Sequence, residues 1–142
     1  MAEAFFNDVF GRLTWDHELG CWLGGIDWPP GLHVEVAIAQ PEDLATALGM
    51  AREGLEWLQA NEVYVLRCVA REMLEVYNRA WRNEEWPLTE DEFARRLELV
   101  RVAFEEDGSL LLSYDAGEMF GGHVLDADFG PTRAFRGATL VG

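Results

Sequence analysis

Residues 15–28 read WDHELGCWLGGIDW, a run that crowds a histidine, a cysteine, three carboxylates and three of the chain's six tryptophans. Two chemistries could use such a set, metal ligation and acid–base catalysis. His17 and Cys21 stand four residues apart, and Asp126 and Asp128 stand two apart. A zinc site needs a second ligand pair beside such a first one, and neither pair has it. No calcium-loop spacing occurs either. The available nucleophiles are Ser109, Ser113, Cys21 and Cys68, none of them in a nucleophile elbow or beside a histidine in sequence. Cys68, set among Leu66, Val69 and Ala70, reads as a buried structural thiol on a helix. Gly24-Gly25 and Gly121-Gly122 each follow a bulky pair and read as bends within strands, not as a phosphate loop opening a helix. No metal and no cofactor is therefore expected, and the chain reads as a binding protein rather than an enzyme.

The elements that would position these residues follow from periodicity. Gly11 to Asp16, Cys21 to Trp28 and Leu32 to Ile38 alternate as strands, separated by His17-Glu18-Leu19-Gly20 and Pro29-Pro30-Gly31. Pro41 is expected to open a helix, with Glu42 and Asp43 suited to its positive start and Leu44, Leu48, Ala51, Leu55 and Leu58 forming one apolar stripe. Asn61 separates it from a second helix striped by Val63, Leu66, Ala70, Met73, Tyr77 and Trp81. Thr89-Glu90-Asp91-Glu92 is a capping box that starts a short helix through Phe93. Strands return over Leu97 to Glu105, Ser109 to Asp115 and Met119 to about Ala127, with a short one near Ala138 to Val141. The order predicts one α+β domain: a mainly antiparallel sheet of about six strands, three N-terminal and three or four C-terminal, with two or three helices inserted between and packed on one face.

Register then sorts the crowded stretch, because a slip of one residue exchanges the two faces of a strand. A loop over 17–20 sets Asp16 opposite Cys21 and Trp15 opposite Trp22. A loop over 29–31 sets Trp28 opposite Leu32, Ile26 opposite Val34 and Trp22 opposite Ile38. One face then holds Leu13, Trp15, Trp22, Ile26, Trp28, Leu32, Val34, Val36 and Ile38 without a charge, so the tryptophans are expected in the core. Gly24 falls opposite Val36, where it could admit a helix. The other face holds Arg12, Thr14, Asp16, Cys21, Leu23, Gly25, Asp27, His33, Glu35, Ala37 and Ala39, with Asp27 across from His33 and Arg12 in the row of Gly25 and Glu35. In the second hairpin a three-residue turn, Glu106-Asp107-Gly108, sets Phe104 opposite Leu110, Val102 opposite Leu112 and Val100 opposite Tyr114. His123 is expected near Leu110 as a hydrogen-bonded core histidine.

Charge supplies the sharpest clue to function. The 142 residues carry 26 acids against 11 basic residues, all arginine, for a net charge of −15. Residues 13–51 and 102–132 hold six and seven acids and no arginine, whereas eight arginines lie between 52 and 101. The sheet is thus expected to be anionic and the helical part nearly balanced. Such a surface disfavours nucleic acid and anionic membranes and attracts a cationic partner. No apolar run is long enough to span a bilayer, and the start MAEAFFNDVFGRL lacks a secretory pattern, so a cytoplasmic protein is expected. Two cysteines make no disulfide framework.

Gly11-Arg12-Leu13-Thr14-Trp15, the Trp22 to Trp28 strand, the helices from Pro41, and Leu88-Thr89-Glu90-Asp91-Glu92-Phe93 leading to Glu106-Asp107-Gly108 and Phe120-Gly121-Gly122-His123 resemble a bacterial family catalogued as domain of unknown function 2262. The resemblance covers about residues 8–141. It implies no enzyme activity and suggests a small bacterial protein of the toxin-neutralising or accessory kind. The expected function is a non-catalytic partner of a basic protein, with contacts at Asp27, Glu35, Asp115, Asp126 and Asp128. Glu84, Glu85, Glu90, Asp91 and Glu92 form a second acidic cluster. The alternative is an enzyme or small-ligand protein using Asp27 and His33 as an acid–base pair and Arg12 as an anion contact.

Overall fold

The computed structural model describes residues 3–28, 31–40, 43–82 and 86–142. Eight strands form one sheet in sequence order: β1 Ala4–Asn7, β2 Gly11–Asp16, β3 Cys21–Trp28, β4 Leu32–Ala39, β5 Glu98–Phe104, β6 Leu110–Asp115, β7 Val124–Phe129 and β8 Phe135–Val141. Among the described residues three helices lie between β4 and β5, α1 Leu44–Ala60, α2 Glu62–Val76 and α3 Glu90–Arg95, with a π-helical turn over Tyr77–Trp81 after α2. Neighbouring strands are antiparallel except β4 and β5, which are parallel. A parallel pair needs a crossover, and the helical excursion is that crossover. The α+β class and its mainly antiparallel sheet are as the pattern predicts, but the sheet has eight strands rather than about six.

The missed strand is β1, whose four residues are too few to show alternation. It is held by its turn, where Asn7 Oδ1 accepts from the N–H of Val9 at 2.8 Å and of Phe10 at 3.0 Å. That turn drives Phe10 into the core against Phe104, with ring centroids 5.7 Å apart. At the other end β7 begins at Val124, not Met119. Met119 and Phe120 look like strand residues but lie in a turn containing Gly117, Gly121 and Gly122, all at positive φ. The second glycine pair is therefore a left-handed turn, whereas Gly24 and Gly25 do lie within a strand, as expected. β8 is also longer than its predicted tail.

The N-terminal registers follow the expectation: Trp15 pairs with Trp22, and Trp22, Ile26, Asp27 and Trp28 pair with Ile38, Val34, His33 and Leu32. The second hairpin holds Phe104 opposite Leu110 and Val102 opposite Leu112, with Gly108 at φ 91° in the turn. One pair is corrected. Leu99, not Val100, faces Tyr114, because a bulge between Leu99 and Arg101 shifts the register.

The charge-free face carries the core. Trp22, Trp28, Val34, Val36, Ile38, Val102, Phe104, Leu110, Leu112, Tyr114, Leu125 and Phe129 are buried there, and α1 and α2 cover them with Ala47, Ala51, Leu55, Leu58, Val65, Val69, Ala70 and Met73. Trp15 is only half-buried, stacked edgewise on Trp22 at 5.3 Å. Trp22 also donates through Nε1 to Gln40 at 2.7 Å. α1 lies close against the sheet at Gly54, where a Cβ would stand 3.0 Å from Leu110 and 3.1 Å from Phe104.

Gly24 admits something else than the expected helix. A Cβ there would fall 2.6 Å from Leu13 Cδ2 and 3.0 Å from the Phe10 carbonyl, both on the buried β1–β2 side. At Gly25 the obstruction is the exposed His33 ring, with Cε1 2.3 Å away. Gly24→Ala is thus expected to cost about 1–3 kcal/mol through overpacking, because a backbone carbonyl cannot swing aside. Gly25→Ala is expected to be neutral or to stabilise by up to about 1 kcal/mol, since His33 rotates into water. Denaturant midpoints of the two variants check the contrast.

The helix starts are local hydrogen-bond devices. Asp43 caps α1, its carboxylate accepting from the N–H groups of Ala45 and Thr46; α1 therefore begins at Leu44, and the expected roles of Pro41 and Glu42 fall outside the described residues. Asn61 breaks the helices as expected. On α2 the buried side is Val65, Val69, Ala70, Met73 and then Tyr77, while Val63 is exposed and Cys68 only half-buried. Thr89 and Glu92 form the capping box, with Thr89 Oγ1 accepting from Glu92 N–H at 3.2 Å and Glu92 accepting from Thr89 N–H at 3.0 Å. Both cysteines are unbridged. Among the described residues no helix is long and apolar enough to cross a membrane.

These caps set the acid limb of stability. The hydrogen bonds from Thr46 to Asp43, from Thr89 to Glu92 and from Ser109 to Asp107 hold all three carboxyls below their ordinary values of 3.8 (Asp) and 4.5 (Glu). Folded values that are depressed contribute stability above the unfolded values, and it is lost as pH falls through the folded ones. Lowering pH from 7 toward the isoelectric point near 4.4 relieves the self-repulsion of a −15 chain. Unfolding midpoints are therefore expected to hold or rise between pH 7 and 5 and to drop below pH 4. A steady decline from pH 7 would contradict this.

Candidate functional site

The uncovered face of the sheet collects the polar residues in cross-strand rows. One row runs Gly25, Glu35, Arg101, Ser113, Asp126 and Thr139 across β3 to β8. The next runs Thr14, Leu23, Ala37, Ala103, Leu111, Asp128 and Gly137. Asp16 and Cys21 pair one row further, and Asp27 and His33 stand on the far side. Small residues make the middle of this face a hollow. A cleft of about 450 Å³ is floored by Ala37, Ala39 and Ala103 and bounded by Cys21, Arg101, Glu105, Glu106, Leu111, Ser113 and Asp126. A second hollow of about 520 Å³ shares Glu105, Glu106 and Leu111 with it and continues to Asp107, Ser109, Asp128 and Arg136.

Two of the carboxylates have fixed partners. Ser113 Oγ donates to Asp126 Oδ1 at 2.8 Å. Arg136 Nη2 donates to Asp128 Oδ1 at 3.0 Å and to Ser109 Oγ at 3.1 Å. Arg101 differs from Arg136: it is half-buried at the centre of the sheet and makes no ion pair or hydrogen bond among the described residues. Its charge is nonetheless felt at the Cys21 thiol. Burial raises that thiol above its ordinary value, Arg101 opposes the rise, and Asp16 and Glu105 add to it. A raised thiol pKa disfavours the reactive thiolate at Cys21, which lines the cleft.

The other expected site residues are scattered by comparison. Asp27 and His33 face each other across β3 and β4, yet no hydrogen bond or ion pair joins them, because the His33 ring lies over Gly25. Arg12, on β2, pairs with Phe6 of the edge strand β1. Asp27 borders a separate hollow with Arg52 and Glu56. Asp115 uses its carboxylate on the Gly117 N–H, at 2.8 Å. Glu90, Asp91 and Glu92 form the first turn of α3; Glu92 serves the capping box, and Glu90 pairs with Arg71 at 3.3 Å. They belong to the helical layer and do not join the sheet acids. Glu84 and Glu85 lie outside the described residues. His123 is far from Leu110, whose partner is Phe129; its ring meets the edge of Trp81 at 5.8 Å instead.

Arg101, Ser113, Glu105 and Arg136 are absent from the sequence-based site set. Alternation marks Arg101 as outward-facing, but its position beside Glu35 depends on the parallel β4–β5 pairing, which no hairpin turn encodes.

No curated protein and no solved structure matches the chain. Residues 7–134, most of its length, match the family described as "Uncharacterized protein conserved in bacteria (DUF2262)". The chain belongs to that family, the one its turn and capping motifs resemble.

Proposed function

We propose that this protein is a non-catalytic binding protein whose uncovered sheet face docks a cationic protein, as the neutralising partner of a basic toxin would. The observation that carries this reading is the segregation of charge by layer. Asp16, Asp27, Glu35, Asp115, Asp126 and Asp128 stand on the strands of the uncovered face, with Glu105 and Glu106 at its hollow, against Arg12, Arg101 and Arg136. The helical segment 43–96 sets seven arginines against eleven acids, whereas the rest of the chain sets four against fifteen. A surface with a strong excess of one sign raises the local concentration of an oppositely charged partner and speeds encounter.

The test is the salt dependence of association with a basic protein captured from the native host. Encounter steered by this face slows steeply between low and physiological ionic strength, because charges beyond about 8 Å are screened there. An association rate indifferent to salt would sink the electrostatic reading.

A further inference from the structure

We infer that the cleft around Arg101 is a binding site for a compact dipolar molecule, one carboxylate plus cationic groups, of which a free amino acid with a basic side chain is the simplest case. This stands apart from protein docking, since it concerns a hollow within the face and needs no partner protein. The cleft's volume, about 450 Å³, falls in the range of about 300–1,000 Å³ usual for small-molecule sites. Its floor is three alanines, which leave the space that longer side chains would fill on an ordinary sheet face.

The charges lining the cleft are asymmetric. One guanidinium, Arg101, faces three carboxylates, Glu105, Glu106 and Asp126. Arg136 shows the alternative outcome on the same face, since it is consumed by Asp128 and Ser109. Arg101 keeps its fork of donors uncommitted among the described residues although Glu35 stands on the adjacent strand. A planar guanidinium in that state suits a carboxylate, which it can take in two parallel hydrogen bonds. A simple dianion gains that contact but is repelled by the three acids. A simple diamine satisfies the acids but leaves Arg101 unmatched. A molecule such as L-arginine or L-lysine does both, placing its carboxylate on Arg101 and its two cationic groups toward Asp126 and the Glu105–Glu106 rim. Ser113, by donating to Asp126, holds that carboxylate in a set orientation.

The experiment is a titration of the isotope-labelled protein followed by amide chemical shifts, with L-arginine, L-lysine, L-arginine amide, putrescine and succinate as probes. L-Arginine or L-lysine is expected to shift the amides of Ala37, Ala39, Ala103 and Ser113 saturably. L-Arginine amide and putrescine, lacking the carboxylate, and succinate, lacking the cations, are each expected to bind at least about tenfold more weakly, the scale of one lost charged hydrogen bond. Arg101→Met is expected to remove the saturable shifts, and Arg52→Met, on α1 and outside the cleft, to keep them. Absence of saturable shifts with both amino acids would overturn the proposal. So would equal binding of the amide, putrescine or succinate, or undiminished binding by Arg101→Met. If Arg101→Met fails to fold, the probe series on the unaltered protein still decides.

Discussion

Replacing Phe120 with alanine is expected to destabilise the protein by about 3–5 kcal/mol, the scale for a fully buried phenylalanine. Phe120 has no exposed surface and stands edgewise to Tyr77, Trp81 and Phe93, with centroids 5.7, 5.7 and 6.1 Å away. Two local devices create this cluster. Tyr77 and Trp81 lie on the π-helical turn that ends the α2 segment, and the widened turn lets both rings address one side chain. Phe120 itself is delivered by a turn that relies on Gly117, Gly121 and Gly122 at positive φ. Truncation leaves a cavity whose walls come from α2, α3 and the β6–β7 connection, which cannot collapse together. Domains of this kind have total stabilities of about 5–15 kcal/mol, so the loss is a large share. A denaturant midpoint that falls with an unchanged slope checks it; a change under about 1 kcal/mol would show that Phe120 is not a keystone of this end of the core.

Reversing Glu35, Glu105 and Glu106 to lysine is expected to slow association with a cationic partner by about 10–100-fold at low salt, within the range of electrostatic steering. All three are exposed, and none has a hydrogen bond through its side chain or an ion pair among the described residues. Surface changes of this sort shift stability by about 0.5 kcal/mol or less each, so a slower rate reports docking rather than unfolding. The difference from the unaltered protein is expected to shrink as salt rises. Stopped-flow rates over a salt series measure it.

What was legible in the sequence depended on whether pairing was local. The β2–β3–β4 meander could be registered residue by residue, because loops over 17–20 and 29–31 count directly into cross-strand pairs such as Trp15–Trp22 and Asp27–His33. The Thr89–Glu92 capping box was legible for the same reason: both hydrogen bonds close within four residues. β1 was not, since its four residues are ordered by Phe5 against Trp22 and Phe10 against Phe104, contacts that alternation does not encode. The Met119–Phe120 stretch misled because buried turn residues and strand residues share a composition. The cleft was the largest omission. Glu35 and Arg101 are 66 positions apart and become neighbours only when the chain returns from three helices to lie parallel to β4. Hydrophobic pattern shows which face Arg101 takes, but not what stands beside it.

On the proposed function, the uncovered anionic sheet face, and not acidity in general, receives the partner. The direct measurement compares capture of a basic host protein by three baits at low salt: the unaltered protein, the Glu35, Glu105 and Glu106 reversal, and a reversal of equal charge on the helices at Glu53 and Glu56 of α1 and Glu75 of α2. Retention by the first and third with loss from the second is the predicted result. Equal loss from both variants, or retention by the sheet-face variant, would contradict it.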